Sequence, residues 1–482
     1  MKILLTGANG YIGKRILPDL LSQGHKVVCM VRDRRRFNFP VEKFKDNLEL
    51  IRVDLLKKET LKNIPKDIDA AYYLVHSMQT SSIAFGSLEE ESAKNFVESI
   101  NKTSTKQIIY LSGIANDENL SKHLSSRFNV EKILGSGKTP LTVLRAAIII
   151  GSGSASFEIV RDLVEKLPVM VTPKWLNTKC QPISIRNVKE YLVGVLLNEK
   201  TYNKIFDIGG PDILSYKEML TIYAKVRKLK RFILVLPRLP FELQGSIYWI
   251  YLFSSANIFL TKSLVESMKN EVICKNMGIC EIVKITLLSY EVAIENAFEK
   301  ITQNDVASSW KDALSSGTLE QNFLENLRVP VHGCLTDVRK VEIKTDVSKV
   351  KQNIWRIGGK NGWYYWNWAW KVRGVFDKIS GGVGLRRGRK NPTELKAGDA
   401  LDFWRVLLAD EPKSRLVLFA EMKVPGEAWL ELKIVTSRDD KVYYKQTATF
   451  RPSGLLGRLY WYFLIPSHAI IFRGMAKRIA GY

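Results

Sequence analysis

The chain opens with KILLTGANGYIGKRILPDLLSQG, an apolar strand run that meets glycines at positions 7, 10 and 13 and passes at once into a helical pattern. Glycines at this spacing let the backbone turn sharply, approach a pyrophosphate and pack a helix onto a strand. The N–H groups of the first helical turn add positive potential where an anion would sit. A glycine triplet alone is a weak signal. Its place between a strand and a helix, at the head of a strand–helix–strand unit, gives it weight. The loop residues Gly7, Asn9, Gly10, Tyr11, Ile12 and Gly13 are therefore the candidate dinucleotide contacts.

The pattern continues with HKVVCMVR, LELIRVDL, AAYYLVHS, KQIIYLSG and LTVLRAAIII, apolar runs separated by helical stretches up to about residue 150. Strands alternating with helices at this spacing imply a parallel sheet with right-handed crossovers, a doubly wound α/β fold. Residues 151–300 add a helical, substrate-side lobe, with a late strand at KIFDIGG and a helix announced by Ser215 and Glu218, a capping-box pair. The apolar stretch 239–260 has the length of a membrane span but carries Glu242, Gln244 and Asn257, and reads as a helix pair. Residues 301–330 read as a linker. From 331 to 482 the chain changes character: an aromatic-dense segment precedes four strand patterns, LDFWRVLLA, RLVLFAEMKV, AWLELKIVTS and KVYYKQTATF, expected to be antiparallel. A final apolar helical segment is expected to break at Pro466.

The second strand ends in VVCMVRDRRRF, with Arg32 where sites selective for NAD place an acid on the ribose hydroxyl. A guanidinium there pairs with a 2′-phosphate, so NADP is the expected cofactor. Asp33, one position on, leaves NAD open. Lys and Arg exceed Asp and Glu to give a net charge of +24, suited to anionic ligands and to anionic surfaces. Five cysteines, with no C-x-x-C pair, indicate neither a disulfide framework nor a zinc site. With no signal-peptide layout at the N-terminus, a cytoplasmic protein is expected. No helix-turn-helix or base-stacking module is visible, so nucleic acid is not an expected partner.

TGxxGxxG at the first strand, Arg32 at the second, Asp54-Leu55 after the third, and YLSG at the fifth followed by a downstream lysine resemble the short-chain dehydrogenase/reductase superfamily, and within it the atypical, NmrA-like branch. LRAAIIIGSGSASFEIVRDLVEKLP and the later QPISIRNVKEYL are similar to atypical members that carry a second domain of unknown role. The resemblance implies a Rossmann sheet in which Gly7, Gly10 and Gly13 contact the pyrophosphate, Arg32 the adenosine phosphate, Asp54 and Leu55 the adenine, and Val75, His76 and Ser77 the ribose side. Ser112 would match the active-site serine and Lys132 the active-site lysine. Phe128 stands where the family has its proton-donating tyrosine. In the usual mechanism the lysine lowers that tyrosine's pKa and holds the cofactor ribose. His76, Tyr72, Tyr73 and Tyr110 are substitutes to weigh, and Arg127 and Arg145 are candidates for an acidic substrate group.

The C-terminal part resembles the START-like, helix-grip α+β class, whose members hold lipids or other apolar ligands. The basic stretches GLRRGRKN, 384–391, and FRGMAKRIA, 472–480, suggest peripheral contact with an anionic membrane. The combined expectation is NADPH-dependent reduction of a hydrophobic carbonyl or enone, with a small hydrophobic ligand as partner. The alternative is a redox sensor or lipid-binding scaffold that turns nothing over.

Overall fold

The computed structural model describes residues 1–32, 34, 37, 39, 44, 46–75, 85–114, 122–236, 242–253, 258–302, 329, 334–384, 389, 391–437 and 441–482. It divides into two compact units, Met1–Ala313 and Leu314–Tyr482. Most of the expected linker, 301–330, lies outside the described residues.

The first unit is built on a parallel sheet. Its strands are β1 (Lys2–Leu5), β2 (Lys26–Val31), β3 (Leu48–Arg52), β4 (Ala70–Tyr73), β5 (Gln107–Gly113), β6 (Leu141–Ala146) and a seventh, Lys204–Ile208. Their spatial order is β3-β2-β1-β4-β5-β6 with Lys204–Ile208 on the far edge. All six pairings are parallel, so the chain reverses its winding between β1 and β4, where ligands bind in doubly wound folds.

Alternation along each strand sends side chains to two separate cores. Leu5, Cys29, Tyr72 and Ile109 pack with helix α1 (Gly13–Ser22) and with helix Ile185–Gly194. Leu4, Val28, Tyr73 and Tyr110 pack with α2 (Phe85–Ile100) and α3 (Lys122–Gly135). Each fully buried Leu, Val or Ile contributes roughly 1.5–3 kcal/mol, so both helix layers are required to hold the sheet. A third cluster, with Phe157, Met219, Tyr223 and Ile294, forms the lobe beyond residue 150. There Ser215 accepts from the Glu218 N–H while the Glu218 carboxylate accepts from the Ser215 N–H, so the expected capping box is present. The expected pair of helices in the 239–260 region runs Glu242–Phe253 and Ile258–Ser267.

The second unit is a six-stranded antiparallel sheet. The four strands expected from sequence run Trp404–Asp410, Arg415–Ala420, Gly426–Thr436 and Val442–Pro452. Two more were missed: Ala400–Leu401, and Leu335–Glu342, which pairs along the last strand. The latter, LTDVRKVE, has no continuous apolar run to mark it. A further correction concerns the final helix, Gly454–Ile479, which runs unbroken through Pro466. Proline removes one N–H, and the carbonyl four residues back belongs to Tyr462, an exposed residue at which solvent can replace the lost donor.

Candidate active site

The glycine turn is sterically closed around its own backbone. Gly7 adopts φ +66°, and a Cβ there would lie 2.4 Å from the Leu74 carbonyl oxygen. A Cβ on Gly13 would lie 2.3 Å from the Gly7 carbonyl oxygen, which already accepts from the Gly10 N–H at 2.8 Å. Only glycine permits this path. It brings β1 directly into α1, whose N-cap residue, Ile12, supplies no side-chain cap. Asn9 Oδ1 is buried and has no hydrogen-bond partner among the described residues. A tight loop, an uncapped helix start and a polar atom awaiting a partner fit a dinucleotide phosphate at this point.

Tyr11 follows the loop and turns its hydroxyl toward Ser154 and Gly151. Burial pushes its phenol up to about 12. The guanidinium of Arg15 lies 4.2 Å from the Tyr11 ring centroid and donates to the Ser152 carbonyl at 2.7 Å, tying α1 to the segment after β6. Ile12 occupies the cap position of α1.

At the end of β2, Arg32 is exposed, and Arg34 donates to the Leu50 carbonyl at 2.8 Å. Asp33 lies outside the described residues. Asp54 is buried, and its carboxylate accepts from the Leu56 N–H at 3.2 Å, closing a short turn after β3. Leu55 is buried too, and its carbonyl accepts from Asn95 of α2. Val75, past β4, is half-buried. His76 and Ser77 lie outside the described residues.

Ser112 is buried on β5 opposite Arg145 of β6. It shares the sheet face of Tyr110, against which α3 packs. The carboxylate of Glu131, on α3, grips Arg145 through two hydrogen bonds of 3.1 and 2.6 Å. That clasp fixes the rotation of α3 about its axis. Phe128 and Lys132, one turn apart, share one exposed face of it: the Lys132 ammonium is 4.7 Å from the Phe128 ring centroid and the Arg145 guanidinium 5.7 Å from it. The ring is 37% exposed. Phe128 is thus held between two cations rather than in the core, and Lys132 is exposed beside it.

Three of the weighed alternatives change standing. Tyr72 points to the opposite face, where its hydroxyl donates to the Leu192 carbonyl at 2.8 Å. Tyr73 is sealed between Phe96 and Tyr110. Arg145 is committed to Glu131 and is not free to hold a substrate acid. Tyr110 and Arg127 stay at the site. The Tyr110 hydroxyl reaches toward the Arg127 carbonyl at 3.5 Å and toward Ser112, and burial raises its pKa. Arg127 Nε is buried without a hydrogen-bond partner among the described residues. The Glu131–Arg145 clasp went unnoticed in the sequence because its partners are 14 residues apart on different elements, and no local pattern joins them.

Residues 7–146 match a family model described as NAD(P)H-binding, and residues 333–475 match one described as a protein of unknown function, DUF2867. The chain is 25% identical over 257 residues to photosystem II assembly factor Ycf39 of Trieres chinensis, covering 52% of this chain and 77% of that protein. It is 21% identical over 230 residues to the chloroplastic divinyl chlorophyllide a 8-vinyl-reductase of Arabidopsis thaliana, covering 44% of this chain and only 54% of that protein. Among solved structures, a nucleoside-diphosphate-sugar epimerase from Staphylococcus aureus superposes with a TM-score of 0.50 at 15% identity, over 61% of this chain and all of that one. At such identity the likeness concerns the fold. The strand order and the closed glycine turn give the N-terminal unit a Rossmann-type fold, and its residues 7–146 carry the match to the NAD(P)H-binding family model.

Proposed function

We propose that the first unit is an NADPH-dependent reductase of an apolar carbonyl or conjugated alkene. The observation that supports this reading is Ser112 near the carboxyl end of β5, opposite Arg145 of β6, on the sheet face against which α3, the helix of Lys132, packs; the closed glycine turn after β1, with the unpartnered Asn9 Oδ1, accompanies it. Reduced dinucleotide supplies a hydride. Lys132, exposed and cationic, is suited to hold the ribose hydroxyls, and Ser112 to donate to a substrate oxygen. Arg32 provides the planar donor fork for a 2′-phosphate, which favours NADP over NAD.

Phe128 removes the usual donor, so the proton comes from elsewhere. The Tyr110 hydroxyl is turned toward Ser112. Its raised pKa keeps it protonated, as an acid requires. The vinyl-reductase relative supports hydride delivery to a conjugated carbon, for which the tyrosine–lysine pair of alcohol dehydrogenases is not needed. The aromatic second unit, on this reading, holds an apolar ligand in the START-like manner.

The Phe128 replacement and the assembly-factor relative favour a second reading, a cofactor-responsive scaffold without turnover. NADPH oxidation measured against a panel of enones and vinyl-substituted ring systems separates the two. Under the reductase reading Lys132→Ala lowers turnover by at least about tenfold. Under the scaffold reading no substrate accelerates NADPH oxidation, and cofactor-induced protection of the wild-type protein persists in Lys132→Ala.

A further inference from the structure

The second unit carries two helices whose apolar faces point outward. In helix Asn367–Ile379 the buried positions are Trp370, Gly374, Asp377 and Lys378, while Trp368, Val372, Val375, Phe376 and Ile379 form a stripe at helical spacing that faces solvent. Phe376 is 61% exposed. Asp377 is turned inward for a reason: its carboxylate accepts from the N–H groups of Gly384 and Lys423, fixing two loops. The first half of helix Gly454–Ile479 repeats the arrangement, with Leu455, Leu456, Leu459, Tyr462 and Phe463 exposed, Phe463 at 82%.

The two helices touch one another, the Trp370 ring centroid lying 6.2 Å from that of Phe472. Tyr365, just before the first, packs on Gly474 of the second, and Arg373 donates to the Tyr460 hydroxyl at 3.3 Å. The two neighbouring helices thus expose these ten large apolar side chains, where an ordinary monomer scatters its exposed ones singly. The helix Gly454–Ile479 is long and apolar enough to cross a membrane, but Phe472, Met475 and Ile479 belong to the unit's own core and Trp461 is buried against Phe450. It can lie on a bilayer without leaving the fold.

Charge selects the occupant. Helix Gly454–Ile479 contains no acidic residue, and the one acid of Asn367–Ile379 is the buried Asp377. Lys371, Lys423, Arg458 and Arg473 are exposed on or beside the two helices. A second copy meeting this face would oppose cation to cation, whereas anionic headgroups complement it, and Trp368 and Tyr462 are side chains suited to the headgroup boundary. We infer that this face docks onto an anionic lipid bilayer, with the apolar stripes inserted at the acyl boundary and the cations among the headgroups. Of the basic stretch 384–391, the described arginine is occupied elsewhere. Arg389 is committed to the carbonyls of Ile357 and Trp355, and 385–388 lie outside the described residues.

Flotation of the full-length protein with vesicles tests this. With phosphatidylcholine containing about one third phosphatidylglycerol the protein floats, and with phosphatidylcholine alone it does so at least about tenfold less. The double variant Phe376→Asp/Phe463→Asp, at exposed positions, retains its melting temperature and loses at least about tenfold in binding to the anionic vesicles. The double variant Lys371→Glu/Arg458→Glu, which leaves the apolar stripes intact, also loses binding. The inference is overturned if the wild-type protein stays unbound to the anionic vesicles, or if it binds and both variants bind equally well. It is equally overturned if light scattering without lipid shows a dimer that Phe376→Asp/Phe463→Asp converts to monomer, which would assign the face to a second copy.

Discussion

The two units treat amphipathic helices in opposite ways. In the parallel sheet unit, α1 and α2 turn Ile16, Leu17, Leu20, Ala93, Phe96 and Val97 inward, and both faces of the sheet are covered. In the antiparallel unit, helix Asn367–Ile379 turns Asp377 and Lys378 inward and leaves Trp368 and Phe376 outside. A helical apolar period identifies a face; it does not say what the face meets. Direction is decided by competing claims on the other face, here the backbone N–H groups of Gly384 and Lys423 that need the Asp377 carboxylate.

The sharpest separation of the units comes from a buried ion pair in the second. Arg405 and Glu421, at 1% and 0% side-chain exposure, share three hydrogen bonds of 3.0–3.1 Å. Glu421→Gln takes the paired carboxylate away from a buried guanidinium and is expected to cost about 3–5 kcal/mol. Eight of the eleven tryptophans lie beyond residue 313, so tryptophan emission in urea reports this loss, while nucleotide fluorescence reports the first unit and stays unchanged. Next in size, Gly13→Val drives side-chain atoms into the Gly7 carbonyl and is expected to weaken nucleotide binding on the order of a hundredfold, about 2.7 kcal/mol, with the tryptophan transition unmoved.

A smaller effect is pH-dependent and belongs to the second unit. Burial holds the His468 imidazole down to about 4, and its Nδ1 has no hydrogen-bond partner among the described residues. The folded form binds fewer protons than the unfolded one, whose histidine titrates near 6.5. Stability is therefore full above about pH 6.5 and falls by up to roughly 1.4 kcal/mol per unit as pH drops toward 4. Urea midpoints taken across that window should show the slope, and His468→Gln should flatten it. Smallest is Phe128→Tyr. With the ring 37% exposed, the added hydroxyl meets water, so a change within about 0.5 kcal/mol is expected by thermal melt. The new phenol faces Lys132, and a gain of weak alcohol dehydrogenase activity is the expected readout.

What the sequence revealed follows the range of the forces involved. The glycine turn, the parallel strand order and the Ser215–Glu218 box were legible because each is local or periodic. Strand Leu335–Glu342 was not, because its pairing partner Val442–Pro452 lies a hundred residues away and its own residues alternate too weakly. Pro466 misled because a helix interior tolerates proline where the orphaned carbonyl reaches water. At the site, Lys132 and Ser112 could be named from sequence, but the Glu131–Arg145 clasp that sets the direction of Phe128 is a tertiary contact.

Titration of the full-length protein with NADPH and with NADH, followed by nucleotide fluorescence, bears most directly on the central claim that the first unit holds a phosphorylated dinucleotide. NADPH is expected to bind more tightly than NADH, and Arg32→Ala to remove most of that preference while leaving NADH binding nearly unchanged. Absence of binding by either nucleotide up to about 1 mM, a free energy weaker than about −4 kcal/mol, would contradict it.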